Sequence, residues 1–212
     1  MSRDGTKTLR RWCALGLLAL VVSVATPRPG QASGLDQASA GLTALSAGEF
    51  HKAVALLTQA IDSNELPESK GYLFYAARGY ARAAEGDYKA AVDDFSAALT
   101  AKPEYLAAWF NRGNAYFAMH RYDQAIMDYS RVLEANADDA KALNNRGAAW
   151  FCKGNLQSAL ANYAQAISLD PDDPDVLLNR GKVYEALGEN DKAREDFLRI
   201  KRIDPSSKTP LD

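Results

Sequence analysis

A chain of 212 residues has room for one or two ordinary domains. Its 47% hydrophobic and 25% charged content excludes collagen, a low-complexity linker and wholesale disorder. Twenty-five Lys and Arg stand against 27 Asp and Glu, a formal net charge of −2, so the basic excess that phosphate neutralisation demands is missing and nucleic acid is not an expected partner. Two Cys and two His cannot supply a disulfide framework or a closed zinc site of N and S ligands, and no cofactor or metal is expected.

In chain order, residues 1–32 read as an address. Arg3, Lys7, Arg10 and Arg11 precede an uncharged run from Cys13 to Ala25, and the breakers Thr26, Pro27, Arg28, Pro29 and Gly30 follow it; these are the charged and apolar regions of a cleaved secretory signal peptide. The run falls short of the roughly 20 residues that span a bilayer, so no stable membrane span is expected after cleavage. Small-residue cleavage patterns end at Ala25 and at Ala32, the second preferred, and Arg10-Arg11 leaves a twin-arginine route open beside the general one. Removing residues 1–32 takes away five basic side chains (Arg3, Lys7, Arg10, Arg11, Arg28) and one acid (Asp4), leaving 20 against 26, a net charge of −6 and the single thiol of Cys152. The expected location is periplasmic or secreted.

The rest of the chain repeats every 34 residues. That shift aligns Gly79, Gly113, Gly147 and Gly181, and beside them Arg78, Arg112, Arg146 and Arg180. Further columns hold Tyr75, Trp109, Leu143 and Leu177; Ala91, Ala125, Ala159 and Ala193; Phe95, Tyr129, Tyr163 and Phe197; and Pro103, Ala137, Pro171 and Pro205. The columns closely resemble the tetratricopeptide repeat, a helix-turn-helix unit of 34 residues, over about residues 34–207. The resemblance implies an all-α fold, a right-handed superhelical solenoid of about five repeats: a degenerate one at 34–71, then 72–105, 106–139, 140–173 and 174–207, with a tail at 208–212. Small residues such as Gly113 and Ala125 are expected at the closest helix approach, with no side chain between. Trp109, Tyr116, Tyr122 and Tyr129 are expected in the core. Gly48, Gly86, Gly154 and Gly188 fall where a positive φ ends each first helix, with His120 in that place in the third repeat. Asp170-Pro171 and Asp204-Pro205 end second helices.

The resemblance also implies that first helices line a concave face and hold ligands. Carried over position by position, that face takes Leu73, Ala76, Ala77 and Tyr80 from the second repeat and Phe110, Asn111, Asn114 and Phe117 from the third. The fourth supplies Lys141, Asn144, Asn145, Phe151 and Cys152, and the fifth Leu178, Asn179 and Lys182. Asn111, Asn145 and Asn179 form a ladder whose amides both donate and accept, suited to the backbone of an extended peptide, and the aromatics beside them supply apolar area. The plainer reading of the ladder is that Asn tolerates a half-exposed helix face. The carboxylate-clamp subset of the family needs charges that neither Ala76, Tyr80, Asn111, Lys141 and Asn145 nor Phe110, Asn114, Asn145, Asp175 and Asn179 provide.

An arginine column is not the family's usual choice at its position, and buried arginine demands a partner. Asp94, Asp128 and Asp196, with Asn162 in the fourth repeat, recur at one spacing and are expected to pair with it; an anion-binding stripe is the other reading. His51 and His120 are expected at the surface with no Cys nearby, and Cys152 as a small apolar filler. No phosphate loop, zinc motif or nucleophile elbow appears, so no enzyme is expected. The expected function is a protein–protein interaction scaffold in the cell envelope, with a protein or peptide client in the concave groove. Two alternatives stand: a self-assembling homodimer through the C-terminal repeat, where Phe197, Ile200 and Ile203 are expected to be partly exposed, and a small-molecule or lipid carrier.

Overall fold

The structure, a computed structural model, describes residues 33–211; the signal segment expected at 1–32 lies outside them. It is all-α. Ten helices run α1 Gly34–Ser46, α2 Phe50–Asp62, α3 Gly71–Glu85, α4 Tyr88–Ala101, α5 Leu106–Ala118, α6 Tyr122–Ala135, α7 Ala140–Cys152, α8 Leu156–Leu169, α9 Pro174–Ala186 and α10 Asn190–Ile203, and no strand occurs among the described residues. Two compact units divide at Ala115 and Tyr116, inside α5. Among the described residues no helix is long and apolar enough to cross a membrane.

Local sequence sets the helix ends. Ser33 and Asp36 form a reciprocal capping box at the start of α1, and Asp87, Asp139, Asn155 and Asp173 each accept from a backbone N–H in the first turn of the helix that follows, satisfying donors with no intrahelical partner. Pro174 opens α9, where its missing N–H costs nothing. The turns inside the hairpins have positive φ at Gly48, Gly86, Gly154 and Gly188, and at His120 with φ 59°. The exit of the first repeat, which at 34–71 is longer than the others, carries a short 3-10 turn, Glu68–Lys70.

Nothing lies within 4 Å of a Cβ placed on Gly86, whose φ is +88°. Gly86→Ala is therefore expected to lose about 1–2 kcal/mol through backbone strain alone, with Gly86→Asn losing less, since Asn visits this region more readily. Urea unfolding of the two variants checks this; an Ala variant as stable as the parent would remove the left-handed requirement.

In the first unit α1 packs on α2, α2 on α3 and α3 on α4. In the second, α6 packs on α7, α7 on α8, α8 on α9 and α9 on α10. The small column does not bring two bare backbones together, as expected above: it makes room for a ring. A Cβ on Gly79 would lie 3.0 Å from Phe95 Cε1, one on Gly147 2.8 Å from Tyr163 Cε1, and one on Gly181 2.3 Å from Phe197 Cε1. In the first hairpin Leu57 takes the ring's place, 2.8 Å from the Cβ position of Gly41. The rings are 1% exposed.

The C-terminal repeat differs from expectation for the same reason. Phe197 and Ile200 are 1% and 3% exposed, and only Ile203 of that set reaches solvent at 43%. Phe197 fills the space that Gly181 leaves within its own hairpin and needs no following repeat to cover it. Tyr129 is core, while Trp109, Tyr116 and Tyr122 are half-buried; the Trp109 indole N–H reaches the Pro103 carbonyl at 2.7 Å.

Candidate functional site

The arginine column has partners 16 residues on, inside the same hairpin. Asp94 accepts from Arg78 Nη2 at 2.7 Å and Nε at 3.0 Å, and from Arg82 Nη1 at 2.8 Å. Asp196 accepts from Arg180 Nη2 at 2.7 Å and Nε at 2.9 Å. In the fourth repeat the amide oxygen of Asn162 accepts Arg146 Nε at 2.8 Å. Asp94 and Asp196 are each 3% exposed. The Asp196 hydrogen bond holds the Arg180 guanidinium above its ordinary pKa against the opposing effect of burial.

Sequence reasoning missed a second partner. Arg78 Nη1 donates to Thr58 Oγ1 at 3.2 Å, Arg112 Nη1 to Ser96 Oγ at 3.0 Å and Arg146 Nη1 to Ser130 Oγ at 3.0 Å. Each hydroxyl belongs to the second helix of the preceding hairpin, so each arginine ties two hairpins together. The signal was present: Thr58, Ser96 and Ser130 share a column. That column turns to Ala164 and then Leu198, and the first repeat has Ala40 where the arginine would stand.

The ladder is placed piecewise. In the first unit Tyr80, Phe110, Asn111 and Asn114 are half-buried on α3 and α5, whereas Ala76 and Ala77 are buried in the core and offer no face. Tyr80 meets Phe50 edge-on, with ring centroids 6.4 Å apart, and Asn111 Nδ2 donates back to the Ala107 carbonyl at 2.8 Å. In the second unit Asn179 Nδ2 donates to Asn144 Oδ1 at 3.0 Å, linking α9 to α7. Asn145 hydrogen-bonds the Tyr129 phenol. Burial pushes that phenol far above its usual range, Asp128 adds to the shift, and the Asn145 bond opposes it. Phe151 and Leu178 are half-buried and Lys141 and Lys182 exposed. Across α9, burial and the neighbouring Asp173 raise the Asp175 carboxyl, and Lys182 pulls it back.

Phe117 packs edge-on against Tyr122 at 5.5 Å, and Tyr122 draws together two residues that sequence reasoning keeps apart. His120 Nδ1 lies 2.8 Å from the Tyr122 hydroxyl, and the same hydroxyl meets the Cys152 thiol. Cys152 is exposed rather than a buried filler. Its thiol is pushed up by partial burial, with Tyr122 opposing, which keeps it protonated and a poor nucleophile. His51, the other histidine, is exposed and 3.5 Å from Glu85.

Sequence models of the tetratricopeptide repeat match residues 39–105 and 77–118, 106–139, and 174–207, and a further TPR-repeat model matches 150–188. None of the curated proteins matches the chain. Among solved structures, MamA 41-end from Desulfovibrio magneticus RS-1 is similar at 20% identity and TM-score 0.75, covering 83% of this chain and 97% of its own. MamA AMB-1 is similar at 21% identity and TM-score 0.69, covering 84% and 95%. YrrB, described as a TPR protein with an unusual peptide-binding site, is similar at 25% identity and TM-score 0.68, covering 82% and 88%.

Proposed function

Because the chain belongs to the tetratricopeptide-repeat family, we propose that it is a non-catalytic scaffold of the cell envelope that holds an extended or helical segment of a protein client on its first-helix faces. The observation that carries the reading is the asparagine pattern in the second unit. Asn144, Asn145 and Asn179 stand half-exposed on α7 and α9, helices that also carry the exposed Lys141 and Lys182. The Asn144–Asn179 hydrogen bond fixes two amides that still have a donor or an acceptor to offer. Asn111 and Asn114 are half-buried on α5 in the first unit, as are Phe110 on α5 and Tyr80 on α3. A peptide backbone satisfies such amides, and the adjoining Phe151 and Leu178 receive its apolar side chains. The peptide-binding site of YrrB supports a peptide client by analogy.

The envelope assignment rests on residues 1–32. Mass spectrometry of the exported protein is expected to find a new N-terminus at Ser33, with Thr26 as the second choice. An intact Met1 on a protein retained inside the cell would sink it.

The client face is tested by crosslinking in the native envelope with wild type and an Asn144→Ala, Asn179→Ala variant confirmed as folded. Asn145 is left in place because Tyr129 depends on it. A client crosslinked to residues of α7 and α9 in the wild type is expected to fall about tenfold or more in the variant, the loss of two hydrogen bonds. Crosslinks of unchanged yield would move the client off this face.

A further inference from the structure

The arginine column contains one member whose charge no acid balances among the described residues. Arg78 and Arg180 each present Nε and Nη2 as a fork to a carboxylate. Arg146 reaches in the same direction but meets the amide of Asn162, whose single oxygen takes Nε at 2.8 Å. The amide nitrogen of Asn162 is directed to the Ser158 carbonyl at 2.8 Å, and the side chain is 7% exposed. Nη1 goes to Ser130. Among the described residues Arg146 makes no salt bridge, and Nη2, which the carboxylate fills in the other two repeats, has no acceptor. Arg146 itself is half-buried, not sealed in the core. Partial burial lowers the pKa of this guanidinium with no acid acting against it.

We propose that Arg146 is an oxyanion-binding site, in which a carboxylate or phosphate oxygen accepts from Nη2 and supplies the charge that Asp94 and Asp196 supply to their arginines. The Ser130 hydroxyl, which accepts from Nη1, keeps its own proton to donate to the same anion. Asn in place of Asp in this hairpin opens the acceptor position to a ligand instead of closing it internally. The site is separate from the asparagine pattern above and does not depend on it.

The test is thermal unfolding of wild type, Asn162→Asp and Arg146→Gln in sodium phosphate against sodium chloride of equal ionic strength. A parallel arm uses a short blocked peptide carrying one Glu, compared with its Gln counterpart. Wild type is expected to gain roughly 3–6 °C for each tenfold rise in phosphate beyond saturation. Asn162→Asp, whose own carboxylate fills the position, is expected to melt higher in chloride and to gain nothing further from phosphate. A shift with the Glu peptide and not with the Gln peptide identifies a client side chain as a source of the anion; a shift with phosphate alone identifies a free ion. Equal phosphate slopes in wild type and Asn162→Asp, or no shift with either probe, would overturn the site, and Asn162→Asp keeps the test decisive even if Arg146→Gln fails to fold.

Discussion

Asp94→Ala is expected to destabilise the protein by about 3–5 kcal/mol, the cost of removing one partner from a buried ion pair. At roughly 2–4 °C per kcal/mol for a chain of this size, that lowers the melting temperature by about 10 °C. The size follows from the arrangement. The Asp94 side chain is 4% exposed, and it neutralises two guanidinium groups, Arg78 and Arg82, that are themselves only 11% and 23% exposed. Without it the two cations are left together with no counter-charge, and water cannot reach them fully. Arg78 retains Thr58, which offers an oxygen but no charge. Asp94→Asn reproduces what the fourth repeat has natively at Asn162 and is expected to lose about half as much. Asp93→Ala, one residue away and exposed without a place in the pair, is expected to stay within about 0.5 kcal/mol of the parent. Circular-dichroism melts of the three variants decide the matter: if Asp94→Ala and Asp93→Ala melt together, the pair is ornamental and the column has another purpose.

That pairing is legible in the sequence because two constraints coincide in it. A charge column at a core-facing position requires a partner, and an acidic column repeats at a fixed offset from Arg78 and Arg180, with Asn162 at the same offset from Arg146. The hydroxyls of Thr58, Ser96 and Ser130 carry no comparable demand, since a Ser or Thr on a helix surface is unremarkable in a sequence. Only the packing of successive hairpins shows that they receive Nη1. The positive φ of His120 is legible because four glycines share its column, and a shared column is a statement about backbone. Exposure is harder. Phe197 and Ile200 look terminal and hence open in the sequence, yet the column of Phe95, Tyr163 and Phe197 is buried from within each hairpin, by the glycine opposite. The asparagine column is visible, but its bonds are not. Asn145 meets a phenol from the preceding second helix and Asn179 meets Asn144, contacts set by the register between helices. Cys152 and His120 stand apart in sequence because they lie in different repeats; Tyr122, at the start of α6, reaches both.

A reversal of sign is expected at Gly181. Phe197→Ala removes a ring that is 1% exposed and is expected to lose about 3–5 kcal/mol. Gly181→Ala alone sets a Cβ 2.3 Å from Cε1 and 2.8 Å from Cζ of that ring. Such a contact cannot stand, and a close-packed interior leaves the ring no free volume to swing into. The overpacking penalty of about 1–3 kcal/mol is then expected at its upper end, exceeding the gain of about 1 kcal/mol that Ala brings to a helix interior. Once the ring is gone the three nearest atoms at Gly181 go with it, since all belong to Phe197, and no contact under 3.0 Å remains. In the Phe197→Ala background Gly181→Ala should therefore stabilise, by up to about 1 kcal/mol, where in the parent it destabilises. Gly79 supplies the contrast. There the Cβ would meet Asp94 Cβ at 3.1 Å and the Ala91 backbone carbonyl at 3.2 Å as well as the ring at 3.0 Å, so removing Phe95 does not clear the space and Gly79→Ala should remain unfavourable. Urea unfolding of both four-variant cycles measures the coupling. Additive losses at Gly181 would mean that the ring is not what the glycine accommodates, and a sign reversal at Gly79 as well would mean that the backbone carbonyl of Ala91 yields more readily than its helix allows.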